Sequence, residues 1–113
     1  MSQLEEIRSA LLALHKVLLE VVRRDHERAH GRLEPHAFLD ALIRDPGLAW
    51  LRPLTTLIVA IDEAGDPADI ASELRRLLSK SEVPDEFQQR YAAALHSSPE
   101  LAYEHGVLMR ALR

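Results

Sequence analysis

The chain contains no cysteine. This absence excludes disulfides, thiolate metal ligands and cysteine nucleophiles together, and it is compatible with a reducing cytoplasm. Long hydrophobic runs are also missing, since the most apolar stretch, residues 54–61, is far shorter than the roughly 20 residues that cross a bilayer. The first six residues are acidic where a secretory signal is basic. The sequence therefore predicts a cytoplasmic protein that does not associate with a membrane.

An excess of positive charge is missing as well. Lys and Arg number 14 against 18 Asp and Glu, and the two signs are interspersed along the chain. Because no face is built to neutralise a phosphate backbone, we expect no nucleic-acid partner. The sequence also lacks a Gly-rich phosphate loop, a G-x-S-x-G motif and paired catalytic carboxylates at a usable spacing. These absences favour a binding or regulatory module over an enzyme.

The first 30 residues predict one long helix. At 113 residues, 47% of them hydrophobic, the chain has the size and composition of a single globular domain spanning residues 1–113. Ser2 and Glu5 form an S-x-x-E capping box, and Gly31 is a natural C-cap, so we expect this helix to run from about residue 3 to 30. Apolar residues recur between these signals with the three-and-four spacing of one buried helical face, at Leu4, Ile7, Leu11, Leu14, Leu18 and Val21.

Prolines punctuate the rest of the chain. Five of the six fall where a helix would begin, often after a capping Asp or Ser, and they predict helices near residues 35–44, 46–64, 67–80, 84–96 and 99–112. Residues 54–61 have strand propensity, but the chain offers no second strand to pair with them. Their apolar spacing also fits a helix, bent or started afresh at Pro53. The predicted fold is an all-α bundle of five to six helices with a long N-terminal helix.

The length of the first helix suggests self-association. At 1.5 Å per residue it measures roughly 42 Å, whereas a compact chain of this size has a diameter of about 34 Å. Residues 11–22 are apolar around most of the helix, because Leu12, Val17, Leu19 and Val22 lie off the main face. A second copy is the simplest cover for an overhanging apolar helix, so we expect a homodimer through the first helix.

The sequence "HERAHGRLEPH", residues 26–36, resembles the zinc-binding motif of metzincin proteases. In H-E-x-x-H, two histidines one turn apart chelate zinc and the glutamate acts as general base, and a third histidine ten positions after the first completes the site. His26, Glu27, His30 and His36 have these offsets. The alternative prediction is therefore a metal-binding helical protein that holds zinc or iron with this cluster.

The resemblance covers only eleven residues and departs from the protease pattern. Leu33 stands where the motif requires glycine, and Gly31 comes two residues too early. Charged residues surround the motif where a zinc helix is normally buried, and the chain offers no sheet edge to bind a substrate strand. We therefore prefer structural or solvent-exposed histidines, with no cofactor.

Arg52 lies within the most hydrophobic segment of the chain. It can extend its side chain to the surface, or it can pair with a carboxylate such as Asp25 or Asp62. Asp62 and Glu63 come near the end of a predicted helix, where carboxylates oppose the macrodipole, so we expect them to pair with the arginines of "ELRRLL".

Residues 30–63, "HGRLEPHAFLDALIRDPGLAWLRPLTTLIVAIDE", resemble a recurring block in small bacterial proteins of uncharacterised function. The likeness extends to "RYAAALHSSPELAYEH" and covers about half of the chain. It implies a small cytoplasmic all-helical protein, and it implies no activity, cofactor or catalytic residue.

We expect the protein to present a helical surface to a protein partner, with the charged residues from Arg23 to Arg32 as the contact. Catalytic residues are not predicted. The candidate binding residues are Arg24, Asp25, His26, His30, Arg32, Arg52 and Asp62.

Overall fold

A computed structural model describes residues 3–63 and 65–113. The described residues form α1 (Gln3–His30), α2 (Pro35–Arg44), a 3₁₀ helix (Pro46–Leu51), α3 (Arg52–Asp62), α4 (Pro67–Leu78), α5 (Glu86–Ser97) and α6 (Pro99–Ala111). They contain no strand, which confirms the all-α prediction. Two predicted features, the cap by Ser2 and the end of the third helix at residue 64, lie outside the described residues.

Prolines and caps set the helix starts, as the sequence predicts. Asp66 accepts a hydrogen bond from the Ala68 N–H at 2.8 Å, and proline occupies the first turn of α4. The start of α5 differs from the prediction by two residues. Asp85 and Gln88 form a reciprocal capping box there, which makes Asp85 the N-cap and starts the helix after Pro84.

The segment predicted as one helix over residues 46–64 is two elements. Proline has no N–H, so Pro53 cannot donate to the Ala49 carbonyl as an α-helix requires. The Arg52 N–H donates to that carbonyl instead. This hydrogen bond joins residues three positions apart, not four, which is the pattern of the 3₁₀ helix before α3. The predicted restart at Pro53 is confirmed to within one residue.

The core is built around α1. Ile7, Leu14 and Leu18 are fully buried, α6 is the main partner of α1, and α3 and α5 also pack against it. Val17 and Val22, off the main face, are also buried, whereas Leu19 is half-buried and Leu12 is 37% exposed, so the predicted enclosure of the helix is only partial. Apolar burial of this kind is the dominant favourable term in folding.

The structure does not show the apolar overhang from which a homodimer through α1 was predicted. The molecule measures 41 × 31 × 24 Å, so its longest extent matches the roughly 42 Å length of α1. Beyond Val22 the helix is mostly polar, with Asp25, Arg28 and His30 exposed. Most of its apolar part is covered within one chain, although Leu12 is 37% exposed, so homodimerisation remains a prediction without support from an overhang.

A partly buried hydrogen bond joins α5 to α6. The Tyr91 hydroxyl lies 2.8 Å from His105 Nδ1. Burial raises the pKa of Tyr91 and lowers the pKa of His105, so at neutral pH the phenol keeps its proton and faces a neutral imidazole. The phenol then donates, and Nδ1 accepts.

We predict that Leu14→Ala lowers the free energy of unfolding by about 2–5 kcal/mol, because it leaves a cavity at a fully buried position. Leu12→Ala is the matched control, since Leu12 lies on the same helix but is 37% exposed. We expect it to cost less than about 1 kcal/mol. Urea denaturation measures both, and equal losses would contradict the assignment of the buried face.

Stability should fall in mild acid. The folded-state pKa of His105 is lowered, so this residue's contribution to stability is complete above its ordinary pKa of 6.5 and is lost as the pH falls towards the lowered value. His15 acts in the same direction. His105→Asn retains a hydrogen-bond acceptor without the titration, and we expect it to flatten the unfolding free energy between about pH 7 and 5. His36→Asn, at an exposed histidine, is the control, and an unchanged profile in His105→Asn would refute the assignment.

Candidate functional site

A groove of about 930 Å³ lies between α1, α2 and α3, and we call it the apolar groove. Three ionisable side chains line it, namely those of His15, Arg52 and Glu63. Burial lowers the pKa of His15, which favours the neutral imidazole beside the apolar side chains. The apolar residues that line the groove are Leu19, Leu39, Leu42, Ile43, Leu48, Leu51, Val59 and Ala60.

The apolar groove exposes side chains that a folded chain normally buries. Leu39 is 60% exposed, Ile43 is 72% exposed and Val59 is 47% exposed. Scattered apolar residues are ordinary on a protein surface, but a contiguous apolar patch marks an interaction site. These three side chains line one groove, so they form such a patch.

The patch arises because α2 is apolar on two sides. Phe38 is buried against the core, and Leu42 is half-buried beside it. Leu39 and Ile43 lie one turn apart on another side of the helix and remain in solvent. The helix packs mainly against the 3₁₀ helix, so it forms an outer wall of the groove.

A set of side-chain contacts from α1 fixes the start of α2, and we call it the Leu33 clasp. Glu27 Oε2 accepts a hydrogen bond from the Leu33 N–H at 2.8 Å, and Arg23 Nη2 donates to the Leu33 carbonyl at 2.7 Å. The same guanidinium lies 3.6 Å from Glu27 and 5.7 Å from the centre of the Phe38 ring. Gly31, at a φ of 88°, supplies the left-handed turn that brings the chain back.

The Leu33 clasp gives Glu27 a structural role. Its carboxylate is occupied by Leu33 and Arg23. The rings of His26 and His30 lie side by side, 4.5 Å between centroids, but His36 is exposed in the first turn of α2. Within residues 3–63 and 65–113, no three His, Asp or Glu side chains are placed to hold a metal ion. The alternative metal site therefore lacks its third ligand in the described structure.

The predicted charged contact is a shallow, solvent-exposed surface. Arg24, Arg28 and Arg32 line it together with Glu27, while Arg23 is drawn into the Leu33 clasp. Asp25 lies 3.7 Å from Arg28, and both side chains are mostly in solvent. Exposed ion pairs of this kind contribute little free energy.

The structure does not bring Arg52 to either of its predicted partners. Asp62 bonds to Arg8 of α1 at 3.0 Å, and Asp25 lies near Arg28. Arg52 begins α3 whereas Asp62 ends it, so the length of the helix separates them. The arginine is exposed at the groove, in agreement with the prediction that it extends to the surface.

The predicted pairing of Asp62 and Glu63 with the arginines of α4 is wrong. Arg75 donates to the Leu112 carbonyl at 2.6 Å, and Arg76 pairs with Glu73 and Asp85. Both arginines therefore tie α4 to its other neighbours.

Sequence reasoning identified Arg52 but missed the apolar groove. A signal for it exists in "FLDALI", which is apolar on two sides of a helix of only ten residues. Such a helix cannot bury both sides against one neighbour, so one side needs a further cover.

Comparisons with protein-family models, curated proteins and solved structures find no match to this chain. The likeness to small bacterial proteins thus stays a prediction. Across the part of the chain that the structure describes, no helix is long and apolar enough to cross a bilayer.

We predict that Glu27→Ala releases the Leu33 backbone, because it removes the acceptor of that N–H. Amide hydrogen exchange at Leu33 should accelerate, and the free energy of unfolding should fall by about 1–2 kcal/mol. Glu20→Ala is the control, since Glu20 is exposed on the same helix. Unchanged exchange at Leu33 would show that the clasp does not hold the segment in solution.

Proposed function

We propose that the protein is a small helical binding module that acts through protein–protein contacts and accepts an amphipathic helix of its partner in the apolar groove. The single observation that carries the proposal is the exposure of Leu39, Ile43 and Val59 around one groove. An amphipathic helix placed in a groove is a recurring mode of peptide recognition, in which apolar anchors at i, i+3, i+4 and i+7 fill the site.

The shape of the groove favours a helix over a small molecule. Small-ligand sites bury 70–90% or more of a drug-sized ligand. Here the α2 wall is open to solvent, with Ile43 72% exposed, so a small ligand would stay partly hydrated. A helix, about 10 Å across, covers such a wall along its length.

The apolar groove also replaces the charged surface as the favoured contact. Binding at the groove removes apolar area from water, which is the general driving force of association. The arginines at the end of α1 are exposed, and exposed charges guide encounter and specificity more than they add affinity. We therefore place the energetic centre at Ile43 and Val59 and leave Arg24, Arg28 and Arg32 as a candidate outer contact.

A second copy of the chain is another possible occupant. The predicted homodimer would then use the apolar groove, since most of the apolar part of α1 is covered within one chain. Light scattering after size-exclusion chromatography distinguishes a second copy from a partner helix as the occupant. A dimer that depends on Ile43 would show that a second copy fills the groove and that no partner helix is needed. We further propose a cytoplasmic location, which the absence of cysteine supports.

We predict that Ile43→Glu strongly weakens helix binding without unfolding the protein. A displayed library of amphipathic helical peptides is selected on the wild-type protein, and the affinities of the enriched peptides are measured by calorimetry. A buried carboxylate without a partner costs several kcal/mol, so the affinity should fall by at least about 100-fold. Thermal unfolding should be almost unchanged, because the side chain is 72% exposed.

Val83→Glu is the matched control. Val83 is 87% exposed on the segment between α4 and α5 and lines no part of the groove. Its substitution introduces the same charge and should leave the affinity intact. Selection that enriches no peptide, or peptides that bind both variants equally well, would overturn the proposed function.

A further inference from the structure

The two ends of the apolar groove carry opposite charges. Arg52 begins α3, and Glu63 follows its last residue. Both line the groove, and the eleven residues of α3 separate them by roughly 16 Å. His15 is the other titratable group in the lining, and its lowered pKa favours the neutral form. The groove therefore has one cationic end and one anionic end.

Neither charge stabilises the helix that carries it. A cation at the first turn and a carboxylate at the last both oppose the macrodipole of α3. Asp62 is compensated by Arg8, but Arg52 and Glu63 form no salt bridge within residues 3–63 and 65–113. Their positions are unfavourable for α3 and are open to a group from outside.

The ends of a short helix match these two charges. The first turn of any helix has unpaired N–H groups and a partial positive charge, and the last turn has unpaired carbonyls and a partial negative charge. A helix of about 11 residues extends about 16 Å, which is the distance from Arg52 to Glu63 along α3. Removal of water from the groove strengthens both interactions.

We propose that the occupant of the apolar groove is a short amphipathic helix of about three turns that runs antiparallel to α3. Its N-terminal turn lies at Glu63 and its C-terminal turn lies at Arg52. This inference rests on the proposed function, and it adds the direction and the length of the bound segment. The partner class is a protein with a short helical segment, as opposed to a long coiled coil.

The direction is tested with paramagnetic labels. A peptide enriched on the wild-type protein carries a nitroxide at its N-terminus or at its C-terminus, and amide signals of the isotopically labelled protein are recorded. We expect the N-terminal label to broaden Asp62 and Glu63 and the C-terminal label to broaden Leu51 and Arg52. The opposite pattern, or equal broadening at both ends, overturns the direction and leaves the proposed function intact. If no peptide binds at the groove, the proposed function itself is refuted.

Charge removal provides a second readout. Glu63→Gln and Arg52→Gln should each weaken peptide binding by about two- to fivefold, the effect of one charge at a helix end. Both variants should be at least as stable as the wild type, since each removes a charge that opposes the dipole of α3. Glu82→Gln, on the exposed segment before α5, is the control. Unchanged affinity in both groove variants would contradict the role of the two charges.

Discussion

The burial of α1 is the constraint on which the rest of the structure depends. Leu14 and Leu18 have no exposed surface, and α3, α5 and α6 all pack against the helix that carries them. Once these helices occupy the faces of α1, α2 is left at the edge of the bundle. Its Phe38 reaches the core, but Leu39 and Ile43 have no neighbour to cover them. The apolar groove is thus a consequence of how the core is filled.

The H-E-x-x-H sequence shows how a motif can serve the fold. A metal site needs three or more ligands that converge, and convergence depends on where the chain goes after the motif. Here Gly31 turns the chain back, and Glu27 binds the Leu33 N–H. His36, the second residue of α2, is exposed. The glutamate of the motif therefore helps to position α2, a wall of the groove.

Local signals in the sequence determined the helices. A proline in the first turn and a capping Asp or Ser act within three residues, so their effect does not depend on distant contacts. The same holds for the 3₁₀ helix, because the missing N–H of Pro53 changes the hydrogen bond of Ala49. Periodic apolar residues likewise identified the buried face of α1.

Tertiary structure alone decided which side chains meet. The sequence offered Arg52 several carboxylates, but Asp62 bonds to Arg8, 54 positions away. The sequence also could not determine whether Leu39 and Ile43 are exposed, since an apolar residue in a helix is buried only if another element packs against it. The sequence by itself determined the helical segments, because caps and periodicity act over a few residues. Only the packing of those segments determined the groove, because a groove is the space that several helices leave between them.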